Sequence, residues 1–280
     1  MKITWIKIDI EAVTAYQPPF FSGSMLRGAL GVTLKRMVCI NPSYQCSGCF
    51  ATATCLYYDF FEKVNLYHPY RIVSALGMKH LAFSIYLFED RVAQMPYILS
   101  AMKKSLEETG LGKDQQKVKV ANIHVGVHLV YDGERFLPID RVQPCSTSVE
   151  ECYRDVRLEF RMPLRMKMNN HLIYHTPSLP TLITTIHHRY RALKGLPSQK
   201  LGYRIEGEIE KSDLHYLDLY RYSNRQKCRM KLGGVIGSVV IRGLDERSYG
   251  YLKIGEVIGA GKQTVFGLGD YRLTPLKEYQ

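Results

Sequence analysis

The sequence predicts an α+β fold built from two successive strand–helix–strand–strand–helix–strand cycles. Three observations carry this. Polar–apolar alternation returns in short stretches along the whole chain, and two stretches in each half have helical spacing. A polar, turn-rich segment containing "QPCSTSVEE" then separates the cycles near 145–155.

The elements follow in order. Residues 2–12, "KITWIKIDIEA", alternate and read as a strand. "SGSMLRGALGVTLKRM" (22–37) has a serine at its N-cap and apolar residues at helical spacing. Residues 70–76 and 80–89 read as strands, and 92–110 as a helix with a glycine stop. "KVKVANIHVGVHLVYDG" (117–133) gives two strands or one long bent one. The second cycle opens with a strand over 155–168 and a helix over 178–195, bracketed by Ser178 and Gly195. Strands over 214–223 and 230–243, a helix over 246–259 and a strand over 269–275 complete it. Each half is thus the split-βαβ, ferredoxin-like pattern (RRM-like, βαββαβ), placed at 1–150 and 151–280. No sequence repeat links the halves, so the duplication rests on element order alone.

The 280 residues are 46% apolar and carry a formal charge of +12. A packed core is within reach, and polyanions are favoured partners. No apolar run is long enough to span a bilayer, and the alternating start lacks the apolar block of a signal peptide. A cytoplasmic, membrane-free protein is expected. Basic residues interleave with aromatics in "HHRYRALK" (187–194) and "YRYSNRQKCRMK" (220–231). That mixture suits single-stranded RNA, with cations on phosphates and rings on unstacked bases. A merely soluble basic surface is the plainer reading. The RNA candidates here are Arg189, Arg191, Arg221, Arg225 and Gln226.

Four of seven cysteines, Cys39, Cys46, Cys49 and Cys55, fall within seventeen residues. An odd total without an export signal argues against a disulfide framework. The tight C-x2-C knuckle with two nearby thiols suits a closed structural zinc site. An iron–sulfur cluster would use the same ligands, and four reduced thiols remain the alternative. "NPSYQCSGCFATATC" holds few bulky aliphatic side chains, so a metal would supply what packing cannot.

Five glycines fall between Gly255 and Gly269, ahead of the last strand. Amides of Gly259, Gly261 and Gly267 can converge into an anion-binding nest, with Lys262, Gln263 and Thr264 as side-chain partners. The spacing fits neither a P-loop nor a dinucleotide fingerprint. The glycines can equally serve a tight crossover.

These residues carry a resemblance. Arg221-Tyr222-Ser223 with Arg225-Gln226, Gly233-Gly234 and Gly237, then Gly259, Gly261, Lys262, Phe266, Gly267, Leu268 and Gly269 resemble the C-terminal half of CRISPR-associated endoribonucleases of the RAMP superfamily. "LRGALG" (26–31), the cysteine cluster and "CLYYDFFE" (55–62) resemble one branch of it. The resemblance implies tandem ferredoxin-like domains and metal-independent cleavage within a CRISPR repeat. The implied products carry a 2′,3′-cyclic phosphate and a 5′-hydroxyl. Repeat RNA, and in some systems effector-complex subunits, are the implied partners of a monomer or homodimer. A catalytically silent subunit that holds guide RNA shares every one of these features.

Such chemistry needs a base, an acid and a cation beside the phosphorane. The first helix holds no histidine, which departs from the usual placement in the family. His187 and His188 are the substitutes, with Lys262 or Arg225 as charge stabiliser and Tyr190 assisting by a hydrogen bond. Leu182, Ile183, Ile186, Tyr190 and Leu193 form a buried stripe; His187 lies at its edge, about 90° round the wheel, and His188 points outward. His171 and His175, around Tyr174, form a second set.

Overall fold

The computed structural model describes residues 1–13, 16–64, 66–168, 170–223 and 228–276. The chain divides into two compact units, Thr4–Cys145 and Met1–Ile3 with Ser146–Gln280. No helix among the described residues is long and apolar enough to cross a membrane.

In the first unit β1 (Lys2–Ala12) is followed by α1 (Gly23–Val38), β2 (Tyr70–Ser74) and β3 (Ala82–Phe88). Then come α2 (Met95–Lys104), β4 (Val120–Val125) and β5 (His128–Tyr131). The antiparallel sheet runs β2-β3-β1-β4-β5. Alternation sets one face: Ile6, Ile8 and Ile10 of β1 are buried and pair in register with Leu87, Ile85 and Phe83 of β3. That face belongs to a core shared with Leu26, Leu30 and Leu34 of α1 and Ile98, Leu99 and Met102 of α2. The 117–133 stretch is two strands, turned at Gly126-Val127, where Gly126 has φ +59°.

In the second unit a short strand, β6 (Cys145–Ser148), precedes β7 (Val156–Leu164). A small hairpin, β8 (Lys167–Met168) with β9 (His171–Leu172), leads to α3 (Leu179–Leu193) and β10 (Glu208–Leu217). A second hairpin joins β11 (Tyr220–Ser223) to β12 (Cys228–Lys231). β13 (Gly234–Arg242), α4 (Glu246–Ile258) and β14 (Tyr271–Pro275) close the unit. Its sheet order is β10-β13-β7-β14, the same arrangement as β2-β3-β1-β4 in the first. The protein is therefore α+β, with two ferredoxin-like βαββαβ units in tandem.

Three boundaries differ from the sequence expectation, one being the strand expected over 230–243, which is split between β12, ending at Lys231, and β13, beginning at Gly234. The strand expected over 214–223 is β10, which begins at Glu208, while Tyr220–Ser223 belongs to the separate β11–β12 hairpin. β10 is an edge strand with mostly exposed side chains and a bulge between Ile209 and Lys211, so its alternation is weak. The strand expected over 155–168 leaves the sheet at Leu164, and the remainder folds into β8.

Candidate nucleic-acid interface

Four segments come together at one end of the second sheet. Leu217, the last residue of β10, pairs with Gly234, the first of β13; Val235 pairs with Leu164, the last of β7. Both hairpins and the glycine-rich loop therefore spring from the same end. Arg165 is the joint between them. Its Nη1 donates to the Gly233 carbonyl at 2.8 Å, and its own carbonyl accepts the Lys262 N–H at 2.8 Å.

This end presents rings and cations to solvent. Tyr174 is 59% exposed and Tyr222 61%. The Tyr174 and Tyr216 rings lie 4.6 Å apart, and the Arg229 guanidinium sits 4.1 Å over Tyr220. Lys167, His171, His175, Lys231 and Lys262 are exposed around them. Burial pushes the Tyr216 hydroxyl pKa up, so it stays a hydrogen-bond donor at neutral pH. Exposed rings beside unburied cations can stack bases and meet phosphates. Arg221 plays another part: its guanidinium lies 4.9 Å over Phe266 and contacts Met230 Sδ at 3.2 Å, tying hairpin to loop. Arg225 and Gln226 lie outside the described residues.

Two of the three glycine amides expected to form an anion-binding nest, those of Gly259 and Gly267, are bonded inside the domain. The N–H groups of Gly259, Ala260, Lys262, Phe266, Gly267 and Gly269 donate to the carbonyls of Gly255, Gly269, Arg165, Gln263, Thr264 and Pro163. Gly259, Gly261, Thr264 and Gly267 are buried, which corrects their expected role as RNA contacts. The physical reason is close packing. A Cβ on Gly261 would stand 2.5 Å from the Arg165 carbonyl oxygen, and one on Gly269 would stand 1.7 Å from that of Ala260. The glycines let the loop sink into the domain, leaving Lys262 and Gln263 exposed.

α3 also corrects expectation. His187 is only 4% exposed, and both of its ring nitrogens are engaged. Nε2 lies 2.9 Å from the Gln199 carbonyl, which only accepts, so Nε2 carries the proton; Nδ1 then accepts from the Tyr251 hydroxyl at 2.8 Å. Neither nitrogen is left for a substrate. Arg189 is 2% exposed, and its Nε donates to the Ile258 carbonyl at the end of α4, at 2.7 Å. It is a core tie between helices, not an RNA contact. The Tyr190 hydroxyl donates to the Lys2 carbonyl at 3.3 Å. His188 is half-buried, and its pKa is lowered by burial, His187 and Arg191. Among the described residues no hydrogen bond, ion pair or ring contact joins Lys262 to His187, His188 or Tyr190.

Residues 158–271 match the family model of CRISPR-associated endoribonuclease Cas6. Residues 1–144, just over half the chain, match the AF_1859_N model, described as an N-terminal domain. Through that longer match the chain belongs to the AF_1859_N family, and its second half is similar to Cas6. An uncharacterized protein of Archaeoglobus fulgidus is 25% identical over 297 residues, covering 98% of each chain. A Cas6 solved as a product complex aligns with a TM-score of 0.62 at 15% identity, over 98% of this chain and 99% of that one. Thermus thermophilus Cas6 aligns at 0.58 and 13% identity, over 97% and 99%. At such identities these two likenesses speak for the fold alone.

Cys39, Cys46, Cys49 and Cys55 are half-buried free thiols. Short turns run through the segment, with Cys49 N–H on the Cys46 carbonyl at 3.3 Å. Among the described residues no three His, Cys, Asp or Glu side chains converge into a metal cage. Four thiolates are the donor set that structural zinc takes.

Sequence reasoning missed Arg165, because its partners lie far along the chain and nothing local marks it. Arg229 and Lys231 stood inside the basic stretch 220–231. Only the hairpin pairing Tyr220↔Lys231 and Tyr222↔Arg229 distinguishes them from their neighbours.

Proposed function

We propose that this protein is an endoribonuclease that cuts precursor CRISPR RNA within its repeats. The 2′-hydroxyl beside the scissile phosphate attacks that phosphate. The leaving strand carries a 5′-hydroxyl and the retained end a 2′,3′-cyclic phosphate, with no metal in the chemical step. One observation carries the reading: exposed tyrosines and cations gather at the end of a Cas6-type domain where both hairpins and the glycine-rich loop meet. His171 and His175, both exposed on that side of the domain, are the proton-transfer candidates, and Lys262 is the cation for the phosphorane. The four-cysteine segment is proposed as a structural zinc site on donor chemistry alone.

The test is incubation in EDTA with repeat RNA, and with the same RNA bearing a 2′-deoxy substitution at the cut site. The first is cut and the second spared if the reading holds. His171→Ala, His175→Ala and His188→Ala, assayed in single turnover, then locate the proton-transfer group. The second reading is a non-catalytic RNA-holding subunit of a CRISPR effector complex. It is favoured by the histidine-free first helix and by the engaged nitrogens of His187. Tight binding of repeat RNA with no cleavage under any condition would establish it.

A further inference from the structure

Between α3 and β10 the chain runs fourteen residues, Lys194 to Gly207, without regular secondary structure. Loops of that length inside a small domain are uncommon and usually functional. This one is built rather than slack. His187 Nε2 holds the Gln199 carbonyl, and Arg191 Nε donates to the Pro197 carbonyl at 2.8 Å. Tyr203 Oη lies 3.1 Å from Ser248 Oγ, and the Glu206 N–H donates to Asp245 at 3.0 Å. These anchors come from both α3 and α4, and they fix the loop as one wall of a cleft of about 470 Å³.

The lining has a consistent chemistry. Arg191 comes from α3, Arg247 and Tyr251 from α4, and Lys200 and Tyr203 from the loop; Glu246 is the single carboxylate. Among the described residues none of Arg191, Lys200 and Arg247 has an ion-pair partner. The Arg247 guanidinium lies 5.6 Å from the Tyr203 ring centre. Burial raises the pKa of the Tyr251 hydroxyl while Arg191 and Arg247 both oppose the rise, so both charges act on that one group. Like charges held around two tyrosines repel one another, and a phosphate between them relieves that repulsion. The volume is large enough for a base and its sugar phosphate.

We propose that this cleft binds one phosphorylated nucleotide, with its base against Tyr203 and Tyr251 and its phosphate on Arg191, Lys200 and Arg247. The nucleotide is either free or one unit of an RNA strand. The strand form rests on the proposed function; the free form does not.

Two measurements on the full chain test it. Isothermal titration with adenosine and uridine monophosphates is compared with inorganic phosphate and with the unphosphorylated nucleosides. Photo-crosslinking uses single-stranded RNA carrying 4-thiouridine, with the attached peptide mapped. The site as a free-nucleotide site is supported by monophosphate binding that weakens about 10-fold in Lys200→Ala/Arg247→Ala, each phosphate contact being a charge-assisted hydrogen bond. As a strand site it is supported by crosslinks to the Tyr203 or Tyr251 peptide, with a salt slope about 1.4 shallower in the double variant. Both substituted side chains are exposed, and Lys200→Glu alone serves as a second, more disruptive change. Nucleotide binding is read without any cleavage, so it stands or falls separately from the nuclease reading. Binding of inorganic phosphate with no preference for nucleotides, or crosslinks that map only elsewhere, overturns the proposal.

Discussion

Lys262 donates its backbone N–H to the carbonyl of Arg165, and that bond, with the Gly269 N–H on the Pro163 carbonyl, pins the glycine-rich loop to the end of β7. Next to it, Gly261 has φ +76° and no room for a side chain. Gly261→Ala is therefore expected to lower stability by about 2 kcal/mol, from left-handed strain and the clash with Arg165 together. Gly269→Ala, whose Cβ would overlap the Ala260 carbonyl more severely, should lower it further. Urea unfolding midpoints check the ranking. Equal stability in all three proteins would mean the loop lies loosely on the domain.

His187 joins α3 to the loop before β10 and to Tyr251. Its replacement by alanine leaves the Tyr251 hydroxyl and the Gln199 carbonyl without their partner, a loss of about 1–3 kcal/mol. Cleavage by the folded fraction, measured well below the unfolding temperature, should match the parent. A large fall in the single-turnover rate with stability intact would return His187 to the chemistry.

His188 supplies a pH signature. Burial, His187 and Arg191 hold its folded pKa below the ordinary 6.5. The unfolded chain then binds the proton first as pH falls, so stability is fully present above about 6.5 and declines as pH drops toward the folded value. His188→Asn should flatten the dependence of the unfolding free energy on pH in that window. The same slope in both proteins would show that other groups set it.

The interface can be dissected by salt. Lys231→Ala and Lys262→Ala should each make the slope of log affinity against log salt shallower by about 0.7, as expected for one phosphate contact on a single strand. Tyr222→Ala should weaken binding by about 1–3 kcal/mol with the slope unchanged, because stacking releases no ions. Fluorescence anisotropy over a salt series separates the two. Unaltered affinity in all three variants would move the RNA to another face.

For the cysteine segment the expected outcome is about one zinc per chain by elemental analysis of protein purified without chelators. Its removal should lower the unfolding temperature and free four thiols to a thiol reagent. Absence of both zinc and iron would leave the segment as four reduced thiols.

Much of the fold was legible because its signals are local. The alternation of residues 2–12 marked β1, and Ser178 with Gly195 bracketed α3. β10 was legible only in part. An edge strand has one partner and need not alternate cleanly, so its first residues looked like loop. The basic and aromatic stretches of the candidate site were legible in the sequence, but which of their side chains face solvent was not. The helical wheel put His187 at the edge of the stripe; the segment 194–207 covers that edge and takes up its Nε2, while Tyr251 of α4 takes up its Nδ1.

By itself, the sequence determined two βαββαβ cycles, a strongly basic balance, and the places where glycine and cysteine concentrate. All of these depend on neighbours within a few residues. Tertiary structure alone decided which donors face a ligand. The amides of Lys262 and Gly269 find their acceptors in Arg165 and Pro163, Arg189 finds its own in Ile258, and His187 is held by Gln199 and Tyr251; a group already bonded inside the domain is not available to RNA.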